Sequence, residues 1–360
     1  MNEAAPEIPL PEICVSTIFE ASGTRLDPDV AADLWPKIAK HKWLMSEKLR
    51  RDVGFRTACI DFLENVELAL KEYTEYQRKD ILAEMGARTV GRDAWDTISD
   101  SQPPKELIQR KIILPLKEKD LSQKHGVITP KTIIFFGPPG TGKTHFVKAI
   151  AGALSWWYIE ILPSMLMADG EEKIGANLHA VLEKARCLTD AVIFIDEFEE
   201  IAASRESAAR LDKSITNTFL KQVALFKSRG GRVLLVCATN YIKHLDSALL
   251  RPGRFDCIIP VGELDEESRT TILQYYLTKL NAENVDLDLI VKMTPRFTPA
   301  DIEYLYQAVA QFSFEQEYAS GQDYRVSTDT FIQILPKIRP SLTDEIVDDF
   351  KKDSITYSRT

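Results

Sequence analysis

The residues most ready for chemistry are Gly137-Pro-Pro-Gly-Thr-Gly-Lys-Thr144, which fit the pattern Gly-x-x-x-x-Gly-Lys-[Ser/Thr]. Glycines at this density let backbone N–H groups turn inward around phosphate oxygens. Lys143 supplies a cation for the β- and γ-phosphates, and the Thr144 hydroxyl is a hard oxygen donor suited to Mg²⁺. The bare pattern arises by chance in about one chain in a hundred of this length. A glycine-rich turn that holds no ligand is the competing reading, and the flanks decide against it. Ile133–Phe136 reads as a buried strand, and His145–Leu154 as a helix whose positive N-terminal end points at the same anion.

Asp196 and Glu197 close the apolar run Ala191–Ile195. Ligands gather at the carboxyl ends of parallel strands. Asp196 therefore reads as part of a Mg²⁺ shell, and Glu197 as the carboxylate that orients and polarises an attacking water. Glu199 and Glu200 read as a solvated helix face. Another apolar run, Val233–Ala238, leads through Thr239 to Asn240. That amide either bonds a γ-phosphate or water, or merely closes a turn. Arg251 and Arg254 flank a Pro-Gly turn. They are either fingers for phosphoryl transfer or surface ion pairs of little energetic weight.

These groups need a parallel sheet to hold them. Short apolar runs at Thr132–Phe136, Trp156–Ile161, Ala191–Ile195, Val233–Ala238 and Cys257–Val261 alternate with amphipathic stretches, the pattern of an α/β fold. Helices are expected at Ser268–Leu280, Pro299–Phe314 and Thr328–Leu335, the last stopping at Pro336. Upstream, Cys59, Phe62, Leu63, Val66, Leu70 and Tyr73 recur at helical spacing. That stripe either packs within a small helical domain or docks a partner. The expected organisation is an irregular segment at 1–28, a helical domain at 29–90, an α/β domain at 91–265, and a helical lid with tail at 266–360.

Composition narrows the function. The chain has 360 residues, 45 basic against 54 acidic, and a formal charge of -9, which argues against a sequence-independent nucleic-acid binder. It does not exclude a local basic patch. No apolar run approaches a membrane span, the N-terminus lacks a secretory pattern, and a cytoplasmic protein is expected. The five cysteines are scattered and without Cys-x-x-Cys spacing, so neither a disulfide framework nor a zinc site is expected.

Together the four motif elements resemble the AAA ATPases, in particular the branch with proteasomal ATPases, katanin and spastin. The likeness runs from about Asp93 to about Ala308. Gly137–Thr144 matches Walker A, Asp196-Glu197 Walker B, and Asn240 the sensor 1 position. Ala238–Asn240 through Arg251-Pro-Gly-Arg-Phe-Asp256 matches the second region of homology, with Arg251 and Arg254 on the arginine-finger positions. Trp95–Ile98 resembles the segment beside the adenine, and Phe297–Asp301 the lid segment over the adenosine. The resemblance thus implies a P-loop NTPase sheet flanked by helices, with ATP and Mg²⁺ as cofactors. Nucleotide contacts fall on Gly137, Pro138, Pro139, Gly140, Thr141, Gly142, Lys143, Thr144, His145, Ile98 and Ala300, and metal contacts on Thr144 and Asp196. Lys143, Glu197, Asn240, Arg251 and Arg254 carry catalysis. The fingers act in trans in that family, which implies a head-to-tail ring, usually of six, that remodels a protein client.

The chain also departs from the family. Ser164–Glu171, at the pore-loop position, holds no aromatic, leaving Leu166 and Met167 to grip. An Asp-Gly-Phe-like inter-subunit element is not evident in Phe219–Phe226, and Pro299 replaces the lid glycine. The segment before Asp93 matches no domain of the family. These departures motivate a rival reading, an ATP-gated switch or scaffold that pulls nothing. A DNA-associated ATPase is the third reading, lowered by the acidic balance.

Overall fold

The computed structural model of the protein describes residues 9–23, 26, 28–66, 78–170, 173–185, 187–202, 219–221, 223–224, 226–227 and 232–359. The chain divides into two compact units, Met1–Asp80 and Ile81–Thr360. The contacts divide the chain after Asp80, ten residues before the expected boundary at residue 90. Ile81, Leu82 and Met85 pack on the core of the second unit, and Arg88 bridges to Tyr158 within it.

The first unit holds α1 (Pro11–Ser22), α2 (Pro28–Leu49) and α3 (Phe55–Asp61). The segment expected to be irregular thus contains a helix. Its Pro and Glu content drew attention away from Cys14, Ile18 and Ala21, whose three- and four-residue spacing makes a buried stripe. Pro11 occupies the first helical position, where its missing N–H costs nothing, and Gly23 (φ 75°) ends the helix. The stripe packs with Ala31, Leu34, Ile38, Cys59 and Phe62. Cys59 and Phe62 of the predicted apolar face are therefore core, while Leu70 and Tyr73 lie outside the described residues.

The second unit is built on a parallel sheet of β1 (Thr132–Phe136), β2 (Trp157–Ile161), β3 (Ala191–Ile195), β4 (Val233–Thr239) and β5 (Cys257–Pro260), in the order β2-β3-β4-β1-β5. All five predicted strands are present, shifted by at most one residue at an end. β1 is buried at every position because both faces are covered. Ile134 and Phe136 enter one apolar cluster, and Ile133 and Phe135 the other, as the two-residue period requires. The helix α4 (Lys143–Leu154) follows β1 and packs in the second cluster through Phe146, Val147 and Ile150. Two helices, α5 (Pro163–Met167) and α6 (Ile174–Ala185), lie between β2 and β3. β1 lies beside β4, and the connection leaving β1 for β2 and the one leaving β4 for β5 run toward opposite edges, the switch point where α/β sheets open a crevice.

Beyond the sheet come α7 (Glu266–Leu277), α8 (Leu287–Met293), α9 (Pro299–Ser320) and α10 (Thr328–Ile334), which share a core of Leu273, Ile290, Phe297, Ile302, Leu305 and Phe331. Asp265 caps α7 by accepting from Ser268 N. Thr298 and Asp301 form a capping box on α9, which runs past its expected end to Gly321 (φ 67°). Last, α11 (Asp344–Tyr357) folds back on the sheet unit. Its Phe350 ring lies 6.0 Å from that of Phe136, and Asp353 pairs with Lys243 at 3.1 Å. Among the described residues, no helix is long and apolar enough to cross a membrane.

Candidate functional site

The carboxyl ends of β1, β3 and β4 open into one cavity of about 720 Å³. The loop after β1 folds as its glycines dictate. A Cβ on Gly137 (φ 151°) would lie 1.9 Å from the Val261 carbonyl oxygen, so no other residue fits. Gly140 (φ 77°) and Gly142 (φ 93°) take left-handed turns that keep the loop open before α4 begins. Thr141 steadies it by donating to Pro138 O at 2.9 Å.

Lys143 is buried at the centre. Its ammonium donates to Gly137 O and Pro138 O at 2.8 Å each, and to Asn240 Oδ1 at 2.7 Å. Burial pulls its pKa from 10.5 down to about 8, against the raising influence of Asp196 and Glu199. The sequence-predicted Asn240 is thus brought against the predicted lysine. Beside them, Thr144 Oγ1 donates to Asp196 Oδ2 at 2.9 Å. A hydroxyl and a carboxylate side by side at a cavity wall fit Mg²⁺, which takes few protein oxygens and completes its shell with water and phosphate. Among the described residues, no group of three or more His, Cys, Asp or Glu is placed to hold a metal ion.

Glu197 lines the same cavity in a left-handed backbone conformation (φ 47°, ψ 44°). Such a conformation costs a non-glycine residue about 1–3 kcal/mol and recurs where a side chain must be aimed. Its backbone N–H donates to Asp196 Oδ1 at 2.9 Å. Its carboxyl is exposed, and Glu200 foremost, then desolvation, Asp196 and Glu199, hold its pKa above the usual carboxylate range.

Glu199 is not on a solvated face as expected. It is half-buried, and its Oε1 accepts the Asn240 backbone N–H at 3.1 Å. Its other oxygen is buried and unpartnered. Sequence reasoning missed this because a run of acids looks like surface. The clue lay in the short 3-10 turn Phe198–Glu200, which buries Phe198 and turns its neighbours back toward the sheet.

Ile98, Ala300 and His145 also line the cavity. Thr97 Oγ1 and His145 Nε2 are 2.8 Å apart, and burial, then Lys148, lowers the imidazole pKa. The lid closes close by: a Cβ on Gly140 would lie 3.0 Å from Thr298 Oγ1. Tyr276 and Tyr306, stacked at 4.8 Å, and Lys279 also line the cavity. They were not anticipated, although Ile272, Tyr276 and Lys279 stand at one-turn spacing on the lid side of the sequence.

Arg251 and Arg254 do not enter this cavity. They sit on an exposed and a half-exposed position of the loop before β5. Arg359 braces that loop at both ends, donating to Leu250 O and Phe255 O at 2.7 Å each. Asp256 holds the loop to β1 by accepting from Lys131 N at 2.9 Å and Thr132 N at 3.1 Å. At the pore-loop position, Leu166 is 1% exposed and belongs to the core, and Met167 packs beside it. The expectation that Leu166 grips a substrate is therefore wrong: α5 turns it inward and leaves Met165 60% exposed instead.

Residues 133–263 match the family described as "ATPase family associated with various cellular activities (AAA)". The chain is 31% identical to a cell division cycle protein 48 homolog of Archaeoglobus fulgidus, across 76% of this chain and 39% of that protein. It is 34% identical to a proteasome-activating nucleotidase of Methanococcus vannielii, across 61% of this chain and 55% of that protein. The match thus spans about half or less of the length of either relative. The FIGL-1 AAA domain, solved also in complex with ADP, shares the fold over 78% of this chain, with TM-scores of 0.67 and 0.65 at 23% and 24% identity.

Proposed function

The chain belongs to the AAA ATPases through its domain at residues 133–263, and on that premise we propose that it couples Mg-ATP binding and hydrolysis to the remodelling of a protein client. The observation that carries this reading is the meeting of Lys143 with Asn240, and of Thr144 with Asp196, at one cavity. Backbone N–H groups of Gly140–Thr144 and the Lys143 ammonium bind the phosphates, while Ile98 and Ala300 flank the adenosine. Thr144 and Asp196 would hold Mg²⁺, which would supply charge neutralisation at the phosphates. Glu197 takes the proton of the attacking water, and Asn240 orients that water against the γ-phosphate.

Arg251 and Arg254 serve the nucleotide of a neighbouring copy. Their place outside their own chain's cavity supports this, because an arginine finger must touch phosphate. A head-to-tail contact of this kind closes into a ring, here of six copies in the cytoplasm, with the Met1–Asp80 unit recruiting the client and no nucleic acid involved. The buried Leu166 favours a second reading, in which ATP sets assembly and shape without threading.

Turnover per subunit, measured against protein concentration with magnesium present, tests the scheme. A steep rise to a plateau is expected. A rate that stays flat down to concentrations where the protein is monomeric would remove the trans arginines and leave the switch reading. Arg254→Ala should keep nucleotide and lose turnover, and excess Glu197→Gln subunits with intact arginines should restore it.

A further inference from the structure

Phosphate chemistry leaves the first unit unused, yet charge is segregated within it. Residues 37–56 hold seven Lys and Arg against two acids, Glu47 and Asp52. The rest of Met1–Asp80 holds four basic residues against thirteen acidic ones. Two of the cations are satisfied at home, Lys37 on Asp33 at 2.6 Å and Lys42 on Asp52 at 3.1 Å. Lys40, Lys48, Arg50, Arg51 and Arg56 are exposed, and none forms an ion pair with another described residue.

Lys40, Glu47 and Lys48 lie on one exposed face of α2, and Arg50 and Arg51 follow directly at its end. Arg51 N donates to Ser46 O at 3.1 Å and Val53 N to Ser46 Oγ at 3.2 Å, turning the chain back on the end of α2. The Phe55 ring lies 4.9 Å from Trp35, tilted by 32°, which ties the start of α3 to α2. Trp43 and Leu44 are 51% and 47% exposed in the middle of the patch. At 3.6 residues per turn Trp43 stands about 120–180° around the helix from Ala31, Leu34 and Ile38, which fill the unit's core, and Leu44 lies to the side, about 80° from Leu34. The negative end of a helix favours cations only in its last turn. That accounts for Lys48 and leaves Lys40 and Arg56 unexplained.

We propose that this face of α2 docks a short acidic segment of a client polypeptide. Its carboxylates pair with Lys40, Lys48, Arg50 and Arg51, and an apolar side chain packs on Trp43 and Leu44. An apolar anchor inside a charged rim is how small interfaces concentrate affinity. The acidic excess of the rest of the unit disfavours a long polyanion, because like charges repel within about one Debye length, roughly 8 Å at physiological salt. A single tryptophan is not the stacking platform that successive bases need. The opposite side of α2 is spent in the core, so the helix cannot lie apolar-side down on a bilayer. The inference rests on the client-recruiting role given to this unit above and supplies the client's chemistry.

The test uses the full chain and a short fluorescein-labelled Asp/Glu-rich peptide with a central Leu-Phe pair, read by anisotropy. Binding is expected in low salt. It should weaken about tenfold or more in the Arg50→Glu/Arg51→Glu variant, on raising ionic strength, and in Trp43→Ser. The Arg50→Lys/Arg51→Lys variant should retain it, and a peptide with Gln and Asn for the acids should not bind. No binding by the wild-type chain overturns the proposal, as does equal binding by the charge-reversed variant. Tighter binding of single-stranded DNA or phosphatidylserine vesicles through the same residues overturns it in favour of that ligand. ATP turnover on each sample separates the two readings. These variants lie outside the nucleotide cavity and should turn over normally, whereas a wild-type chain without turnover refutes the enzymatic reading alone.

Discussion

ATP binding at alkaline pH should take up a proton, and Lys143 is where that proton goes. The buried ammonium faces three uncharged oxygens, of Gly137, Pro138 and Asn240, and desolvation holds its pKa at about 8. A triphosphate in contact replaces neutral acceptors with anionic ones and favours the charged lysine again. Restoring the group from about 8 to its ordinary 10.5 is worth about 3 kcal/mol. Because the folded pKa is depressed, the unfolded chain binds more protons between those two values. The penalty for charging Lys143 is thus fully present below about pH 8, and the nucleotide-free chain gains stability as pH rises from about 8 toward 10.5. The same numbers set the proton count on binding: about 0.1 per site at pH 7 and about three-quarters at pH 8.5, where ATP itself is fully ionised. Calorimetry at pH 8.5, in two buffers of different ionisation enthalpy, reads that count directly. Lys143→Met should lose both the binding and the uptake. Wild-type binding at pH 8.5 with no proton uptake would refute the reasoning, since the lysine would then be charged before the nucleotide arrives.

Glu197→Gln should bind ATP and lose about 10²–10⁴-fold in turnover, the usual weight of a general base, and near-normal phosphate release would remove Glu197 from that role. Glu199→Ala strands the Asn240 N–H, at a cost of about 1–3 kcal/mol, and should lower kcat more than it raises KM for ATP. Glu199→Gln keeps an acceptor and should recover most of the rate; a change confined to thermal stability would make Glu199 merely structural. Leu166→Ser should lower unfolding stability by about 2–4 kcal/mol in urea titrations, while Met165→Ser should leave it within error. A stable Leu166→Ser protein would contradict its core position. Arg359→Ala frees both ends of the Arg251–Arg254 loop and should slow turnover of the assembled protein roughly tenfold to a hundredfold with ATP affinity intact, measured by steady-state kinetics beside nucleotide titration.

The parts legible in the sequence were those whose physics is local. Apolar runs bounded by turn residues gave all five strands, because a parallel strand buried on both faces has nothing to alternate with. Gly137–Thr144 was readable because its turns admit few other residues, and the convergence of Lys143, Asp196 and Asn240 follows once the strands are parallel and their carboxyl ends coincide. What was misread depends on neighbours distant in sequence. Glu199 looked solvated until the Asn240 backbone, forty-one positions away, came to meet it. Leu166 sat in a stretch too short to show a period, so its inward face appears only against the core. The helix α1 was hidden because Pro11, a helix breaker in mid-segment, is harmless at the first position.

The final helix joins the two halves of the proposed reaction, and no local pattern announced it. One contact reaches the phosphate loop: with no side chain on Gly137 or Gly262, the Phe350 ring settles where a Cβ on either would stand 3.2 Å and 2.1 Å from it. The loop's shape is therefore set from behind by a tail residue as well as by its own glycines. The other contact reaches the arginine loop, where Arg359 holds the carbonyls of Leu250 and Phe255 while its backbone pairs with Ile258 of β5. One loop binds the chain's own nucleotide and the other is proposed to reach a neighbour's. The fourteen-residue helix touches the first, and Arg359, two positions beyond its end, holds the second, so the C-terminal segment gives them a common mechanical reference. Displacing α11 should then disturb cis binding and trans stimulation together, whereas independent loops would fail one at a time.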